Sequence, residues 1–428
     1  MRQIKIPYAK EHLLLEVEEE RLKAVLEPNP DSDSSSDPDR DEASIVRRAL
    51  AEPVESRRLS DLAAAAAHVL LITSDHTRPV PSAITIPILL EEIRRNNPAV
   101  QIKILVATGC HRPTRPEELL GKFGETVFHQ EDIVIHDSRD RAHLIDKGRL
   151  PSGGELWVND LVDWADLVVA EGFIEPHFFA GFSGGRKSIL PGICAAETVL
   201  ANHCAEFIAS PQARTGNLEG NPLHRDMLFA AQAAGLAFIL NVALDADKKI
   251  INAFAGHPDL AHRKGCDWIG KRALVRRREA DIVVTSNGGY PLDQNIYQSV
   301  KGMTAGEACV REGGVIIIAA ACEDGHGGEA FFRWFSEAAS PTEVAAKIAM
   351  IGRQDTRPDQ WQAQILARVL GRCAVIIVTD RCDPQIIRAM HMQQAHDFTE
   401  ALVMARSIVG SRADLVVIPD GVSVIVGD

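Results

Sequence analysis

The sequence predicts an α/β protein: two α/β domains with mostly parallel sheets and an active-site cleft between them. Short apolar runs of strand length alternate along the chain with stretches whose apolar residues have helical spacing. Most of these runs are apolar throughout, which is typical of parallel strands covered by helices on both faces. A chain of 428 residues, of which 46% are hydrophobic and 25% charged, is long enough to build two such cores.

The first domain is predicted to span residues 1–275. Residues 1–26 are expected to form one or two strands and then a helix. Residues 28–44 are acidic and rich in Ser and Pro, which predicts a disordered loop without chemistry. The pattern further on predicts strands at HVLLITS (68–74), QIKILVAT (101–108), DIVIHDS (132–138) and ADLVVAEG (165–172), helices at IVRRALAE (45–52), ITIPILLEEIRRN (84–96) and RPEELLGKFG (115–124), and a hairpin over 235–256 that turns at Asp245–Asp247.

The second, smaller domain is predicted to span residues 276–428. It follows a basic helical segment around Lys264–Arg278. Its predicted strands are ADIVVTS (280–286), GVIIIAAA (314–321), CAVIIVTD (373–380) and ADLVVIPDG (413–421), and its predicted helices include NIYQSVKGMTAGEACVREG (295–313) and QWQAQILARVLG (360–371). A ligand is expected in the cleft between the two domains.

Charge and cysteine usage exclude several classes of protein. A net charge of −13 argues against a nucleic-acid or anionic-membrane surface. No apolar run has transmembrane length and the first residues contain no signal peptide, so we expect a cytoplasmic protein. The eight cysteines are scattered without a C-x-x-C pair, which indicates reduced thiols. A metal site would therefore be built mainly from histidine.

The stretch 171–203 concentrates the most potential chemistry. It follows a predicted buried strand and contains His177, a glycine-rich turn, Lys187 and a predicted helix that carries His203. Ligands of open α/β sheets bind beyond the carboxyl ends of strands, where these side chains are expected. Arg186 stands where a phosphate-binding P-loop requires glycine, so that motif is excluded. A plain tight surface turn remains the alternative.

Three further polar clusters follow predicted strands or open a predicted helix: Asp75, His76, Thr77 and Arg78; His111; and Tyr297, Gln298 and Lys301. The first cluster suits a ribose and phosphate, or a carboxylate held by the guanidinium. Gln298 and Lys301 are three apart near a helix amino end, where a small carboxylate could dock. The alternatives are an Asx turn, a structural histidine and a solvated Gln/Lys pair.

Four ordered motifs together resemble the nickel-pincer-nucleotide lactate racemase family of 2-hydroxyacid racemases and epimerases. The motifs are SDHTRP, ATGCHR, EPHFFAGFSGGRKS…ANH and YQSVKG. The likeness spans Ser74 to Lys301 and continues more weakly to Trp361. The family has two α/β domains with the active site in the cleft, in agreement with the segmentation above. Residues 28–44 lie outside all four motifs.

The resemblance implies a role for each matching residue. Lys187 would carry the cofactor, pyridinium-3,5-bisthiocarboxylic acid mononucleotide, through a covalent thioamide, and His203 would bind its nickel ion. The nucleotide would be bound by Asp75, His76, Thr77 and Arg78. His111 and His177 would be the paired proton donor and acceptor. The substrate would contact Arg78, Tyr297, Gln298, Lys301 and Trp361.

The chemistry that the resemblance implies requires these residue types. The α-hydrogen of a 2-hydroxy acid is very weakly acidic, so moving it as hydride, while a base takes the hydroxyl proton, is the better route. The resulting 2-keto acid is flat, and hydride returned to its other face inverts the centre. The two enantiomers present their hydroxyls in different directions, which requires one acid/base on each side. Histidine, with a reference pKa of about 6.5, suits both protonation states.

The predicted function is a racemase that interconverts D- and L-lactate, with separate enzymes making its cofactor. Other 2-hydroxy acids, such as malate, an aryl-lactate or a sugar acid, remain alternatives within the family. A zinc-dependent hydrolase or lyase is a second class, with His177, His203 and either Glu175 or Glu197 as ligands, although no H-E-x-x-H motif is present. A nucleotide-binding sensor without turnover is a third.

Overall fold

The structure is a computed structural model that describes residues 1–29, 41–245 and 247–427. Its strands are, in chain order, β1 (Arg2–Tyr8), β2 (Glu11–Val17), β3 (Leu22–Val25), β4 (His68–Ser74), β5 (Gln101–Ala107), β6 (Asp132–Ile135), β7 (Leu144–Arg149), β8 (Glu155–Asn159), β9 (Leu167–Phe173), β10 (Pro176–His177), β11 (Gly181–Phe182), β12 (Leu236–Leu244), β13 (Ile250–Gly256), β14 (Leu274–Arg276), β15 (Ala280–Ser286), β16 (Val310–Ala319), β17 (Ala374–Val378), β18 (Gln393–Ala395), β19 (Leu415–Ile418) and β20 (Ile425–Gly427).

The helices are, in the same order, α1 (Glu42–Ala51), α2 (Leu59–Ala63), α3 (Ser82–Arg94), α4 (Pro116–Gln130), α5 (Leu161–Trp164), α6 (Ala196–Asn202), α7 (Ala205–Ala209), α8 (Pro222–Ala233), α9 (Leu260–Ala273), α10 (Ile296–Cys309), α11 (Glu329–Ser336), α12 (Pro341–Ala349), α13 (Gln360–Arg372), α14 (Pro384–Ala389) and α15 (Phe398–Val409). Within the described ranges, no helix has the length and hydrophobicity needed to cross a bilayer.

The first sheet has six strands in the order β13-β12-β9-β4-β5-β6. All neighbours are parallel except β12 and β13, which form the predicted antiparallel hairpin. Strand β9 lies near the centre and every one of its residues is buried. From β4 the chain proceeds in one direction to β5 and β6, and then crosses back to β9 and β12. This reversal opens a crevice at the carboxyl ends of β4 and β9, where α/β proteins bind ligands.

The second sheet also has six strands, in the order β18-β17-β16-β15-β19-β3. All of its neighbouring strands are parallel. The four strands predicted for the second domain are β15, β16, β17 and β19, and they lie side by side in this sheet. The predicted fold class, α/β with mostly parallel sheets, is therefore confirmed.

The amino terminus differs from the prediction. Residues 1–26 form three strands and no helix, and β3 pairs with β19 of the second sheet. Alternating burial in β1 and β2 gives them a strand pattern, with Ile6 and Leu15 fully buried against that sheet. The charged residues 18–21 form the turn into β3. Residues 2–25 thus pack with the second sheet, although the sequence grouped them with the first.

Helix α1 shortens the predicted disordered loop. Residues 30–40 of that loop lie outside the described residues. Glu42 to Ser44, however, form the first turn of α1, with Ser44 Oγ donating to Asp41 Oδ2 over 3.2 Å. Acidic residues at a helix amino terminus interact favourably with the helix dipole, which explains why this part of an acidic segment is helical.

One hydrophobic cluster extends through both halves of the molecule. It contains Leu70 and Ile193 from the first half and Val300 and Ile316 from the second, all fully buried. A densely packed core of this kind fixes the two sheets relative to one another. The boundary near residue 276 lies at β14, which pairs with β20 at the carboxyl end of the chain. The division of the chain at this point stays a prediction.

Candidate active site

A cavity of about 470 Å³ lies at the carboxyl ends of β4, β5 and β9 and is closed on its other side by α10 and α13. The following residues singled out from the sequence line it: Asp75, Arg78, His111, His177, Lys187, His203, Tyr297, Gln298, Lys301 and Trp361. A larger hollow of about 1080 Å³ lies between α1, β13 and α9, and none of these side chains lines it. The chemistry is therefore concentrated in the smaller cavity.

The loop that follows β5 holds His111 against the loop that follows β4. Nδ1 of His111 donates to Oδ2 of the buried Asp75 over 2.7 Å. Burial opposes the charge of this carboxylate, but His111 and Arg78 outweigh it and hold the pKa of Asp75 well below its usual range. Because Nδ1 carries the ring proton, the neutral imidazole keeps its free lone pair on Nε2.

Thr77 connects Asp75 to Arg78. Its backbone N–H and its hydroxyl both donate to Asp75 Oδ1, over 3.0 and 2.6 Å, and Arg78 donates to the same hydroxyl over 2.8 Å. Thr77 itself does not line the cavity. Neither does His76, whose Nδ1 lies 3.1 Å from Thr114 Oγ1. Of the four residues predicted to bind the nucleotide, two line the cavity and two lie behind it.

His177 lies beyond the end of β9, in the short strand β10. The backbone N–H of Ala180 donates to its Nδ1 over 3.2 Å, so the proton of the neutral ring is on Nε2. This arrangement is the reverse of that at His111. Burial, together with the nearby Lys187, Lys301 and Arg78, lowers the pKa of His177 well below its usual value.

The glycine-rich turn is organised by the buried Arg186. Its guanidinium donates to the carbonyl oxygens of Ala180 and Phe182, both over 2.8 Å, and to His224 Nδ1 over 3.0 Å. Gly184 in this turn has φ +78°, and a Cβ there would lie 2.6 Å from the Phe173 carbonyl oxygen. The Arg186 side chain thus holds the turn in shape from within. Lys187 directly follows Arg186 in the sequence.

Lys187 lines the cavity without a carboxylate partner in the described part of the chain. Its Nζ lies 5.9 Å from the centre of the Phe179 ring. Burial lowers its pKa well below the usual value, and Arg186, Arg78 and Lys301 add to the effect. A lower pKa increases the neutral, nucleophilic fraction of a lysine amine.

His203 does not lie inside the predicted helix but directly after its last residue, as the C-cap of α6. Its Nδ1 donates to the Val199 carbonyl oxygen over 3.0 Å, which leaves the Nε2 lone pair for a ligand. The ring lies between Phe179, at 5.3 Å, and Trp361 of α13, at 5.1 Å between centres. Trp361 thus brings the second half of the chain against His203.

Helix α10 contributes Gln298 and Lys301 on one face, as the spacing predicted. Oε1 of Gln298 is buried and has no hydrogen-bond partner among the described residues. Burial, followed by the nearby Arg78, lowers the pKa of Lys301 to about 8 against the opposing attraction of Glu175. Glu175 has a pKa raised by burial, despite the attraction of Lys301 and Arg78. The cations favour a bound anion in this part of the cavity, and the unpaired amide oxygen can accept a hydrogen bond from a ligand hydroxyl.

Sequence reasoning missed several cavity residues. Arg139 and Asp359 line the cavity from loops that carried no recognisable motif. Asp359 has φ +62°, a left-handed conformation that is uncommon for a residue with a side chain. Glu171 lies inside β9, whereas the sequence placed it only at the end of a predicted strand. An acidic residue directly after an apolar run of strand residues is a signal that could have identified it.

The residues present fit a nickel-bearing nucleotide. The cavity volume lies in the range of small-molecule sites, which is about 300–1000 Å³. It offers an unpaired amine at Lys187, a free imidazole nitrogen at His203 and an orphaned oxygen at Gln298. No group of three or more His, Cys, Asp or Glu among the described residues could hold a metal ion. The zinc alternative therefore lacks its ligand set there, whereas a metal that arrives with its own donors needs few from the protein.

Family models and known proteins match most of the chain. The models for the lactate racemase N-terminal and C-terminal domains match residues 8–216 and 275–426. A lactate racemase from Thermoanaerobacterium thermosaccharolyticum is 56% identical over 426 residues, which is 100% of this chain and 99% of that protein. A lactate racemase from Lactiplantibacillus plantarum is 51% identical over 385 residues, which is 90% of this chain and 91% of that protein.

Solved structures agree with these matches. The lactate racemase apoprotein from Thermoanaerobacterium thermosaccharolyticum has a TM-score of 0.96 at 56% identity, with 100% of both chains covered. A Thermotoga maritima protein has a TM-score of 0.63 over 89% of this chain and 96% of its own, at 17% identity. The second likeness concerns the fold alone.

Two mostly parallel sheets, with a cation-lined cavity between the strand ends of the first and helices α10 and α13, define an α/β enzyme for a small anionic substrate. The family models and the relatives identify one family within this class of enzyme. The chain belongs to the lactate racemase family. The resemblance found in the four sequence motifs is thereby confirmed.

Proposed function

We propose that the protein is an isomerase that interconverts D- and L-lactate. One observation carries the proposal: His111 and His177, which come from different strand ends, line the same cavity as Lys187, His203 and Lys301. The lactate racemases that match this chain over 90% or more of its length support the choice of lactate. A larger 2-hydroxy acid remains the alternative substrate, since the motifs concern only the reacting carbon and its carboxylate.

The proposed cofactor is the nickel pincer nucleotide, pyridinium-3,5-bisthiocarboxylic acid mononucleotide with nickel. When bound, it supplies an acceptor and donor of hydride. Lys187 would hold it covalently through its amine, and His203 Nε2 would complete the coordination of the metal. Asp75 and Arg78 would face the nucleotide or the substrate, and His76 and Thr77 would support them from behind the cavity wall. The enzymes that make this nucleotide are proposed partners.

His111 and His177 would act on the substrate hydroxyl. In the neutral state, His111 offers a lone pair at Nε2 and His177 offers a proton at Nε2, because their Nδ1 atoms have opposite hydrogen-bonding roles. For turnover, one ring must start neutral and the other as imidazolium: the neutral ring accepts the hydroxyl proton of one enantiomer, and the imidazolium gives a proton to the oxygen of the 2-keto acid to form the other enantiomer. After one turnover the roles are exchanged, as a racemase requires.

Lys301, Gln298 and Arg78 would bind the substrate carboxylate. Lys301 and Arg78 lie close enough to lower the pKa of Lys301 through their mutual repulsion, and a bound carboxylate relieves that repulsion. Tyr297 and Trp361 would form the apolar wall and exclude water. A reducing, cytoplasmic location is consistent with the eight free cysteines.

The test is a chiral assay of the nickel-loaded protein with D-lactate, L-lactate and a panel of other 2-hydroxy acids. We expect racemisation of lactate, and its loss by about 10²-fold or more in His111→Ala and in His177→Ala, with nickel retained. His129→Ala, which changes an exposed helix residue, is the control and should keep the wild-type rate. Normal racemisation in both active-site variants would refute the two-histidine scheme, and zinc without nickel in active protein would favour the hydrolase.

The covalent role of Lys187 is tested by intact mass spectrometry. We expect an added mass of the size of the nucleotide when the protein is made together with the cofactor-synthesising enzymes, and none when it is made without them. The adduct should be absent from Lys187→Arg. A fully active protein with an unmodified Lys187 would contradict the tether.

A further inference from the structure

Glu171 is a buried carboxylate whose hydrogen bonds come from side-chain hydroxyls. Its Oε2 accepts from Thr73 Oγ1 over 2.5 Å and from Ser82 Oγ over 3.2 Å, and its Oε1 accepts from Thr85 Oγ1. The side chain is 1% exposed and makes no ion pair within the described residues. A buried anion is costly, so one that is retained with three hydroxyl donors needs an explanation beyond packing.

The three hydroxyls belong to two elements that flank one loop. Thr73 is near the end of β4, whereas Ser82 and Thr85 are in the first turns of α3. Residues 75–81 connect these two elements and contain Asp75 and Arg78. Glu171 stands on the neighbouring strand β9 and binds the chain before this loop and after it. Its carboxylate therefore closes the base of the loop.

Short hydrogen bonds connect the loop to the proposed catalytic groups. Thr77 binds Asp75 with its N–H and its hydroxyl, Arg78 binds the hydroxyl of Thr77, and Asp75 binds Nδ1 of His111 over 2.7 Å. A displacement of the loop base would therefore move Arg78 and rotate His111. Misplacement of about 1 Å can cost about 10²-fold in rate.

One cation, Lys122, lies near this cluster, but the hydroxyls and not Lys122 donate hydrogen bonds to Glu171. Lys122 of α4 donates to Ser74 Oγ over 3.4 Å. Burial lowers its pKa, and the attraction of Glu171 and Asp75 only partly opposes that shift. The carboxylate of Glu171 is thus hydrogen-bonded by neutral hydroxyls at fixed positions on β4 and α3. This arrangement favours a role in holding the two elements together over a role in proton transfer.

We propose that Glu171 is a positioning residue that clamps the base of the loop 75–81 and thereby aligns Arg78 and the Asp75–His111 pair. The kinetic part of this inference rests on the proposed racemase function. The structural part concerns the apoprotein and does not depend on it. The two parts are tested separately, so that failure of one can be told from failure of the other.

The structural test is amide hydrogen exchange in the apoprotein. We expect the amides of Thr77 and Arg78 to exchange about tenfold faster or more in Glu171→Gln, because a neutral amide cannot accept from all three hydroxyls. Glu92→Gln is the matched control: Glu92 is also a buried carboxylate of this region, on α3, but it binds Arg95 over 2.8 Å. Wild-type exchange at Thr77 and Arg78 in Glu171→Gln would overturn the clamp.

Thr85 provides a variant that is less disruptive to folding. Thr85→Val keeps the shape of the side chain and removes the hydroxyl, whereas Thr85→Ser keeps the hydroxyl. We expect faster loop exchange in Thr85→Val and near wild-type exchange in Thr85→Ser. Equal exchange in the two variants would show that packing, and not the bond to Glu171, holds the loop, and would overturn the proposal.

The kinetic test uses the loaded enzyme and D-lactate. In Thr85→Val, KM should rise about tenfold and kcat should fall, because Arg78 and His111 are both misaligned. A variant that merely folds less completely would lower the apparent kcat and leave KM unchanged. Thr85→Ser should restore both values, and an unchanged KM in Thr85→Val would refute the positioning role. If wild-type protein racemises no 2-hydroxy acid, the proposed function fails and the exchange data still decide the clamp.

Discussion

At the scale of residues, the site depends on which nitrogen of each imidazole carries a proton. Asp75 accepts a hydrogen bond from Nδ1–H of His111, whereas the backbone N–H of Ala180 donates a hydrogen bond to Nδ1 of His177. The first contact needs a carboxylate and the second only a peptide N–H. A single substitution can therefore reverse the proton position at His111 but not at His177.

Asp75→Asn is predicted to lower kcat by about 10²-fold or more, since an amide N–H pointing at Nδ1 would move the ring proton of His111 to Nε2. The shape of the side chain is kept, so the nickel content of the loaded protein should be unchanged. The measurement is kcat for lactate at saturating substrate. Asp166→Asn, which changes a surface carboxylate bound to the N–H of Ala67 and His68, should keep the wild-type kcat.

Lys187 makes the stability of the apoprotein depend on pH. Its pKa is depressed in the folded protein by burial, whereas the unfolded chain has a lysine pKa of about 10.4. Between these two values the unfolded state binds more protons, so the free energy of unfolding rises with pH. Lys187→Met should therefore be more stable than wild type at pH 7, and this advantage should shrink as the pH approaches about 10.

Urea unfolding of the two apoproteins at several pH values measures this difference. Lys5→Met, which changes an exposed residue of β1, is the control and should show a constant difference from wild type. A Lys187→Met protein that is less stable than wild type at pH 7 would contradict the prediction.

The sequence predicted most residues of the site, because chemically distinctive side chains at predicted strand ends must meet at one edge of a parallel sheet. His111, His177 and Lys187 were identified in this way, and all three line the cavity. Glu171 and Arg186 were not identified. Their partners are hydroxyls and carbonyl oxygens contributed by distant residues, and those pairings become visible only when the chain is folded.

At the scale of elements, the glycine-rich turn is the part of the site with the most internal support. Arg186 fills its centre and is only 2% exposed. Burial lowers its pKa to about 10, and it has no carboxylate bound to it in the described structure. The turn therefore keeps its shape through a cation that binds backbone oxygens.

Arg186→Met is predicted to destabilise the protein by about 3 kcal/mol, because several buried acceptors lose their donor and each costs about 1 kcal/mol or more. It should also lower the fraction of Lys187 that carries the nucleotide. Urea unfolding and intact mass spectrometry measure the two effects. Arg214→Met is the control, since Arg214 also binds two carbonyl oxygens but outside the turn, and it should retain full modification of Lys187.

Element prediction succeeded where a pattern is local. The apolar runs that form β4, β5, β9 and β15 are each strands of the predicted type, and the hairpin of β12 and β13 has its turn where the sequence indicated. The predicted helix RPEELLGKFG proved longer and continues to Gln130, with a non-helical residue at Gly124. A glycine in that position looked like an end of the helix, whereas it only interrupts it.

At the scale of the whole molecule, the halves are joined at the site itself. Trp361 of the second half packs against His203 of the first with its ring tilted by 60°, and Gln364 donates to the Ala205 carbonyl oxygen over 2.9 Å. Neither half contains the complete cavity. The sequence predicted a cleft but could not predict that the amino-terminal strands belong with the second sheet, because strand pairing over nearly the full chain length leaves no local pattern.

Deletion of residues 1–27 is predicted to loosen the second sheet selectively. Strand β19 would keep β15 but lose β3, including the bond from Leu415 N–H to the Arg21 carbonyl oxygen and that from Leu26 N–H to the Val417 carbonyl oxygen. Hydrogen exchange should become faster in β19 and remain slow in β9 of the first sheet. Equal protection of β19 in the shortened and complete proteins would contradict this arrangement.

The pairing of β3 with β19 also has a consequence for folding. β3 and β19 lie near opposite ends of the described residues, so they can pair only after a very long stretch of chain has been brought together. Closing so long a loop costs entropy before the contact is gained. Until it closes, the hairpin of β1 and β2 exposes its apolar side to solvent. Completion of the second sheet is therefore expected late in folding.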